Sequence, residues 1–148
     1  MSKIIQAILA GILFTFILDF FFFLGIKLYY IDTHNIEVYY NILFADHQNI
    51  FLYAGLSAIF GYLIIYLNNK VSLIICIIAS VFTLMALIPP LGNMMGEYVL
   101  MSKDVELNDD KHRYLGDIYY DGRTSITFYD REIDKVILLE KNRLKERN

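Results

Sequence analysis

The sequence predicts an α-helical membrane protein: three transmembrane helices, an interfacial helix in the first loop and a small C-terminal β-hairpin or three-stranded β meander. Three observations predict it. Residues 4–24, 50–67 and 71–88 are long apolar runs, the last two without any charge. Charge is segregated: of 16 acidic and 13 basic residues, only Asp19, Asp32, Glu37, Asp46 and Lys3, Lys27, Lys70 precede Glu97. And Asp121-Gly122 separates two β-prone runs, a strong short-range hairpin signal because turn residues there must tolerate positive φ.

At about 1.5 Å per residue the three runs reach ~27–31 Å, which matches a bilayer's hydrocarbon core. A soluble core helix needs a polar face. The first run carries only Gln6, Thr15 and Asp19 as polar residues and is expected to form a helix over 4–26. It is longer than the apolar stretch of a signal peptide, and the flank Lys27-Leu28-Tyr29-Tyr30 lacks a small-x-small cleavage pattern, so a retained helix is expected.

The first loop has its own pattern. Ile36, Tyr39, Tyr40, Leu43 and Phe44 recur at helical spacing, which predicts a short interfacial helix within 33–46 with Thr33 as its cap, or an ordered loop over the bundle. Helices at 50–67 and 71–88 are separated by Asn68-Asn69-Lys70, short enough only for an antiparallel hairpin. Pro89-Pro90 ends or kinks the third helix. The still-apolar 91–101 then lies at the interface or packs back on the bundle.

A transmembrane domain over 1–101 is thus expected, followed by an acidic linker over 102–113 and an extramembrane β-rich domain over 114–148. Within the latter, 136–139 reads as a third strand. Acids at its start and Lys141, Arg143, Lys145 and Arg147 at its end suit a helix as well; the strand is favoured. Such a small appendage is expected to need a second copy, a partner or the membrane surface to bury its apolar side.

In lipid, small residues mark where helices approach closely. The first helix carries Ala7, Gly11, Thr15 and Asp19 at steps of four; the second Ala54, Ser57, Ala58 and Gly61; the third Ser72, Cys76, Ala79, Ser80, Thr83 and Ala86. These stripes predict a self-contained packing or, for the first helix above all, docking on another membrane protein. Asp19 stands out, because a carboxylate in such a run needs protein or water around it. Thr15 one turn back is the nearest candidate donor, with Lys27 only loosely in reach. A packing role, a contact with a partner protein and a proton or cation relay are the three readings of Asp19.

Other chemistry is thin. A single cysteine, Cys76, excludes an intrachain disulfide. His34, Glu37, Asp46 and His47 share a loop without metal-ligand spacing, so no metal or cofactor is expected. Nucleophile elbows and phosphate loops are missing from the sequence. A net charge of −3 gives no field for nucleic acid.

The expected function is therefore non-enzymatic: an accessory, assembly or stability factor of a larger membrane complex such as an ion-driven machine. The alternative is a small channel or transporter subunit with Asp19 in a polar path. The expected partners are the lipid bilayer and a homo-oligomer or larger complex. By type the chain resembles small inner-membrane proteins of bacteria. Lys3 and Lys70 on one side favour a cytoplasmic N-terminus and an outside C-terminal domain, against the ten basic residues of the tail.

Overall fold

The computed structural model describes residues 2–109 and 112–144. Met1, Asp110, Lys111 and residues 145–148 lie outside the described residues, and with them part of the predicted linker, the end of the predicted appendage, Lys145 and Arg147.

Helix α1 (Lys3–Ile26) runs on through one π-helical turn, Lys27–Ile31. The wider turn is seen in Asp32 N–H donating to Lys27 O at 3.0 Å and Ile36 N–H to Ile31 O at 3.0 Å. Helix α2 (Tyr40–His47) meets α3 (Ile50–Tyr66) at 84°. Helix α4 (Asn69–Leu84) tightens into a 3₁₀ turn, Met85–Leu87, before α5 (Pro89–Leu100). The polar residues between the apolar runs act as caps: Asn49 Oδ1 accepts from the N–H groups of Phe51 and Leu52, and Asn68 Oδ1 from that of Lys70. Each satisfies donors that a helix start leaves free.

The α1 and α4 segments are long and apolar enough to cross a membrane, and the bent α2–α3 pair makes a third if it is one span. Their outer faces are apolar: Ile8, Leu13, Ile59, Ile74 and Ile78 are all exposed.

Two zones of close backbone approach build the bundle. In the first, α1 crosses α3. A Cβ on Gly11 would stand 1.9 Å from Ser57 O, and one on Gly61 2.2 Å from Ala7 O. In the second, α1 and its π turn meet the 3₁₀ turn and α5. A Cβ on Gly25 or on Gly92 would lie 2.3 Å from Ala86 O, and one on Gly96 2.3 Å from the Tyr30 side chain. Tyr30, Ile26, Ile31 and Leu43 are fully buried around that second zone. Aromatic side chains seat α2 on α1, with Phe44 edge-on to Phe16 and Phe23. Tyr40 Oη donates to Phe20 O at 2.9 Å.

The C-terminal part is a four-stranded antiparallel meander, β1 (Ser102–Asn108), β2 (Arg113–Asp121), β3 (Ser125–Asp130) and β4 (Lys135–Glu140), hydrogen-bonded in that order. Leu107, Ile118, Ile126 and Phe128 bury one face. A bridge between Asp109 and Leu144 draws the ends of the sheet together into a curl.

Several expectations need correction. Residues 102–108, read as linker, form β1; Val105 and Leu107 alternate inward between charged neighbours, a pattern that the acidic composition masks. The predicted three-stranded meander is four-stranded, and β4 is the strand favoured for 136–139. The first-loop helix is shorter than 33–46: it starts at Tyr40, after extended backbone at Tyr39. Thr33 does not cap it, since its Oγ1 donates to Tyr29 O at the end of the preceding helical segment. The Asp121-Gly122 turn forms without positive φ at either residue. It is wider, with Gly122 N–H donating to Ser125 O, and this swings Arg123 outward. Finally, residues 89–100 are a full helix with proline at its first positions, where a missing N–H costs nothing.

Packing predicts a sharp contrast between glycines. Gly11→Val puts a branched side chain into the Ser57 backbone and should destabilise by about 1–3 kcal/mol or more. Gly55, with open space around it, should accept alanine neutrally or gain up to about 1 kcal/mol. Reversible unfolding by SDS titration in mixed micelles measures both.

Candidate functional site

The residues singled out from sequence divide into three groups. Ala7, Gly11 and Thr15 are buried against Ser57 and Gly61, so the stripe of α1 is spent inside the chain rather than left open for a second protein. Ser72 and Thr83 of α4 are buried, and Cys76 and Ser80 partly so. Ala54 and Ala58, expected in the packing, lie on the exposed face of α3. Helix α3 has two small-residue stripes, and the one that contacts α1 is Ser57–Gly61.

Asp19 is half-buried and accepts a hydrogen bond from Gln48 Nε2 at 3.0 Å. Gln48 sits at the α2–α3 bend, so the bend delivers the amide that the carboxylate needs. Neither expected neighbour serves it: Lys27 pairs with Asp32, and Thr15 Oγ1 is buried without a partner among the described residues. Ser57 Oγ, in the same α1–α3 seam, is also unpartnered.

The richest constellation was not foreseen. It is the seam where the sheet sits on the helices. Tyr30 Oη donates to Tyr119 O at 2.9 Å. His34 lies between the rings of Tyr30 and Tyr119, at centroid distances of 4.6 and 4.8 Å. Its Nδ1 is 2.7 Å from Tyr30 O; a carbonyl only accepts, so Nδ1 carries the proton. His47 repeats the arrangement, with Nδ1 donating to Leu43 O and its ring 5.6 Å from that of Tyr120. Arg123 grips Asp46 in a fork: Nε is 2.8 Å from Oδ2 and Nη2 2.5 Å from Oδ1. These hydrogen bonds hold the Asp46 carboxyl below its ordinary range. Burial pushes the hydroxyls of Tyr119 and Tyr120 up, so both stay neutral.

Asp46, His34 and His47 are thus structural ties between two layers, while Glu37 of the same loop stays exposed. Among the described residues, no group of three or more His, Cys, Asp or Glu side chains is close enough to hold a metal ion.

Only part of the sheet's lower face is used by this seam. Register places Thr127 beside Leu138 and Tyr129 beside Val136 on one face. Tyr119 stacks on Tyr129 at 5.8 Å with planes 4° apart. Beyond them, Val136 and Leu138 stay 49% and 69% exposed. There a groove of about 860 Å³ opens between the sheet and the segment that leads into α2. Glu37, Tyr39, Tyr120, Arg123, Val136 and Leu138 are among its lining residues. One signal in the sequence did mark the second packing zone: Gly92 and Gly96 stand four apart, the spacing that lets helices touch.

Compared with known proteins, the chain matches no family model, no curated protein and no solved structure.

The Arg123–Asp46 fork predicts acid-sensitive docking of the sheet. The folded carboxyl titrates below its ordinary value of 3.8. Its contribution is therefore complete well above that value and is lost as the pH falls through the lower folded one. Protection of the β2–β3 turn amides, measured by hydrogen exchange relative to the intrinsic rate at each pH, should fall across that acidic window in the native chain. In Asp46→Asn protection should already be lower at neutral pH and change less on acidification.

Proposed function

We propose that this chain is a non-enzymatic membrane adaptor: a small polytopic protein that assembles or stabilises a larger membrane complex. In this reading α1, α3 and α4 are three transmembrane helices, α2 lies in the headgroup plane, and the sheet stands outside the bilayer. Lys3 and Lys70 lie on one side and support a cytoplasmic N-terminus, in the inner membrane of a bacterium.

The observation that carries the reading is the half-used face of the sheet. Its inner part is tied to the helices by Tyr119, Tyr120 and Arg123. Its outer part leaves Val136 and Leu138 exposed above an open groove. Apolar side chains held in the open on a docked scaffold are the mark of an interaction surface. An ion-driven machine is a natural client for such a protein, with the client held by the sheet and the helices serving as anchor.

A second reading, a small channel or transporter subunit, draws on the α1–α3 seam, where the hydroxyls of Thr15 and Ser57 have no partner among the described residues, and on Asp19 one turn beyond Thr15. The adaptor reading makes Asp19 a packing residue, and Gln48 its reason.

Two measurements test this. Purification from native membranes at native expression, in mild detergent, should bring down a stoichiometric partner; a lone monomer overturns the adaptor. Asp19→Leu strands the Gln48 amide and should lower abundance, at a cost of about 1–3 kcal/mol, while Asp19→Asn keeps an acceptor and should be mild. Loss of an ion flux in Asp19→Asn at unchanged abundance would favour the channel.

A further inference from the structure

Lys27 is the first charged residue after the apolar run 4–24, about 5 Å beyond its end along the helix axis. With α1 as a transmembrane helix, that distance falls inside the headgroup layer, which adds about 5–7 Å to each side of the hydrocarbon core. At this level a pocket of about 610 Å³ opens between the end of α1 and the segment leading into α2. Its volume lies within the ~300–1,000 Å³ of ordinary ligand clefts. Lys27, Asp32, Asn35, Glu37, Tyr39 and Tyr40 are among its lining residues.

The charges of the pocket are mixed. The Lys27 side chain is only 18% exposed and pairs with Asp32, whose side chain is 48% exposed. An ammonium has three donors. Asp32 takes one, so two are left without an acceptor among the described residues. Glu37 is exposed, and its side chain makes no hydrogen bond or ion pair among the described residues. One cation and two carboxylates give the pocket a net negative charge, which repels an anionic headgroup. Yet it holds donors for a phosphate beside acceptors for an ammonium.

The wall beneath is apolar. Leu13, Phe16 and Phe20 stand three and four residues apart, and Lys27 seven further on, which sets all four on one face of α1. The three apolar side chains are exposed. From Leu13 to Leu24 is about 16 Å of helix, close to half of a ~30 Å hydrocarbon core. Tyr40 joins the two parts: it lines the pocket, and its hydroxyl donates to Phe20 O at 2.9 Å. A polar pocket thus caps an apolar track one leaflet deep.

We propose that this pocket holds the headgroup of a phosphatidylethanolamine molecule of the bilayer. The phosphate takes the two open donors of Lys27. The primary ammonium donates to Asp32 and Glu37, and the acyl chains run down Phe20, Phe16 and Leu13. Phosphatidylglycerol brings the phosphate without the ammonium and meets two carboxylates. Phosphatidylcholine brings the positive charge, but its quaternary nitrogen has no N–H to donate. The proposal rests on α1 as a transmembrane helix and concerns a different surface from the one that holds the client.

The test titrates the full-length protein, in a mild non-ionic detergent, with each of these three lipids carrying the same acyl chains. Native mass spectrometry counts the bound lipid. One phosphatidylethanolamine should bind about tenfold more tightly than either of the others, the size of one charge-assisted hydrogen bond. Glu37→Gln, at an exposed position, should narrow the margin over phosphatidylcholine, and Glu37→Lys should turn the preference to phosphatidylglycerol. Lys27→Met should weaken all three. Equal binding of the three lipids, or preferences indifferent to Glu37, overturns the proposal. So does glycerophosphoethanolamine, the headgroup without chains, binding as tightly as the lipid, which makes the ligand a soluble zwitterion. Release of the native chain from membranes by a carbonate wash removes the transmembrane reading and this site together. A membrane-embedded chain without a lipid preference removes this site alone.

Discussion

How closely α1 lets its neighbours approach decides the rest of the structure. At one end Gly11 and Gly61 allow backbone to touch backbone, and at the other Gly25, Gly92 and Gly96 do the same. Helices that are apolar on their outer faces gain little from further apolar burial if lipid surrounds them, so close van der Waals approach has to fix their order. Only the residues without a Cβ permit it here. The second of these zones, at Gly25, Gly92 and Gly96, has the longer reach. Helix α5 passes into β1 after a single residue, Met101. Where Gly96 seats Tyr30 therefore determines where the sheet begins, and Tyr30 Oη then ties down Tyr119 in β2.

The ion pair of the seam plays a different part from the packing. Arg123 and Asp46 are both open to solvent, and exposed pairs contribute little stability in general. The buried contacts around Tyr30, Leu43 and Tyr120 hold the layers together. The fork instead fixes rotation: one bidentate contact between α2 and the β2–β3 turn selects which way the sheet faces, since Arg–carboxylate geometry is directional. The wide turn at Gly122 is what allows it. A tight two-residue turn would have kept Arg123 in the strand direction and out of reach of α2.

What was legible in the sequence follows the range of the interactions. The apolar runs, the break at Pro89-Pro90, the α1 stripe and the strand at 136–139 are local patterns, and each can be read from spacing. Strand β1 was only weakly written, because two inward residues among five polar ones do not stand out from a linker. The choice between Ala54–Ala58 and Ser57–Gly61 was not written at all: both are small stripes, and only the position of α1 selects one. Arg123 and Asp46 are 77 residues apart, and no spacing rule connects them. Asp19 was conspicuous, but its partner Gln48 depended on a bend between α2 and α3 that periodicity does not reveal.

The groove gains meaning from the fact that its walls belong to different layers. The stretch 35–39 follows the end of α1, while β4 stands at the other end of the strand order from β1, through which the sheet joins the helices. A sheet of this size could not hold Val136 and Leu138 in the open by itself. The buried contacts around Tyr30, Leu43 and Tyr120 fix it on the bundle, and the groove is what that docking leaves between the layers.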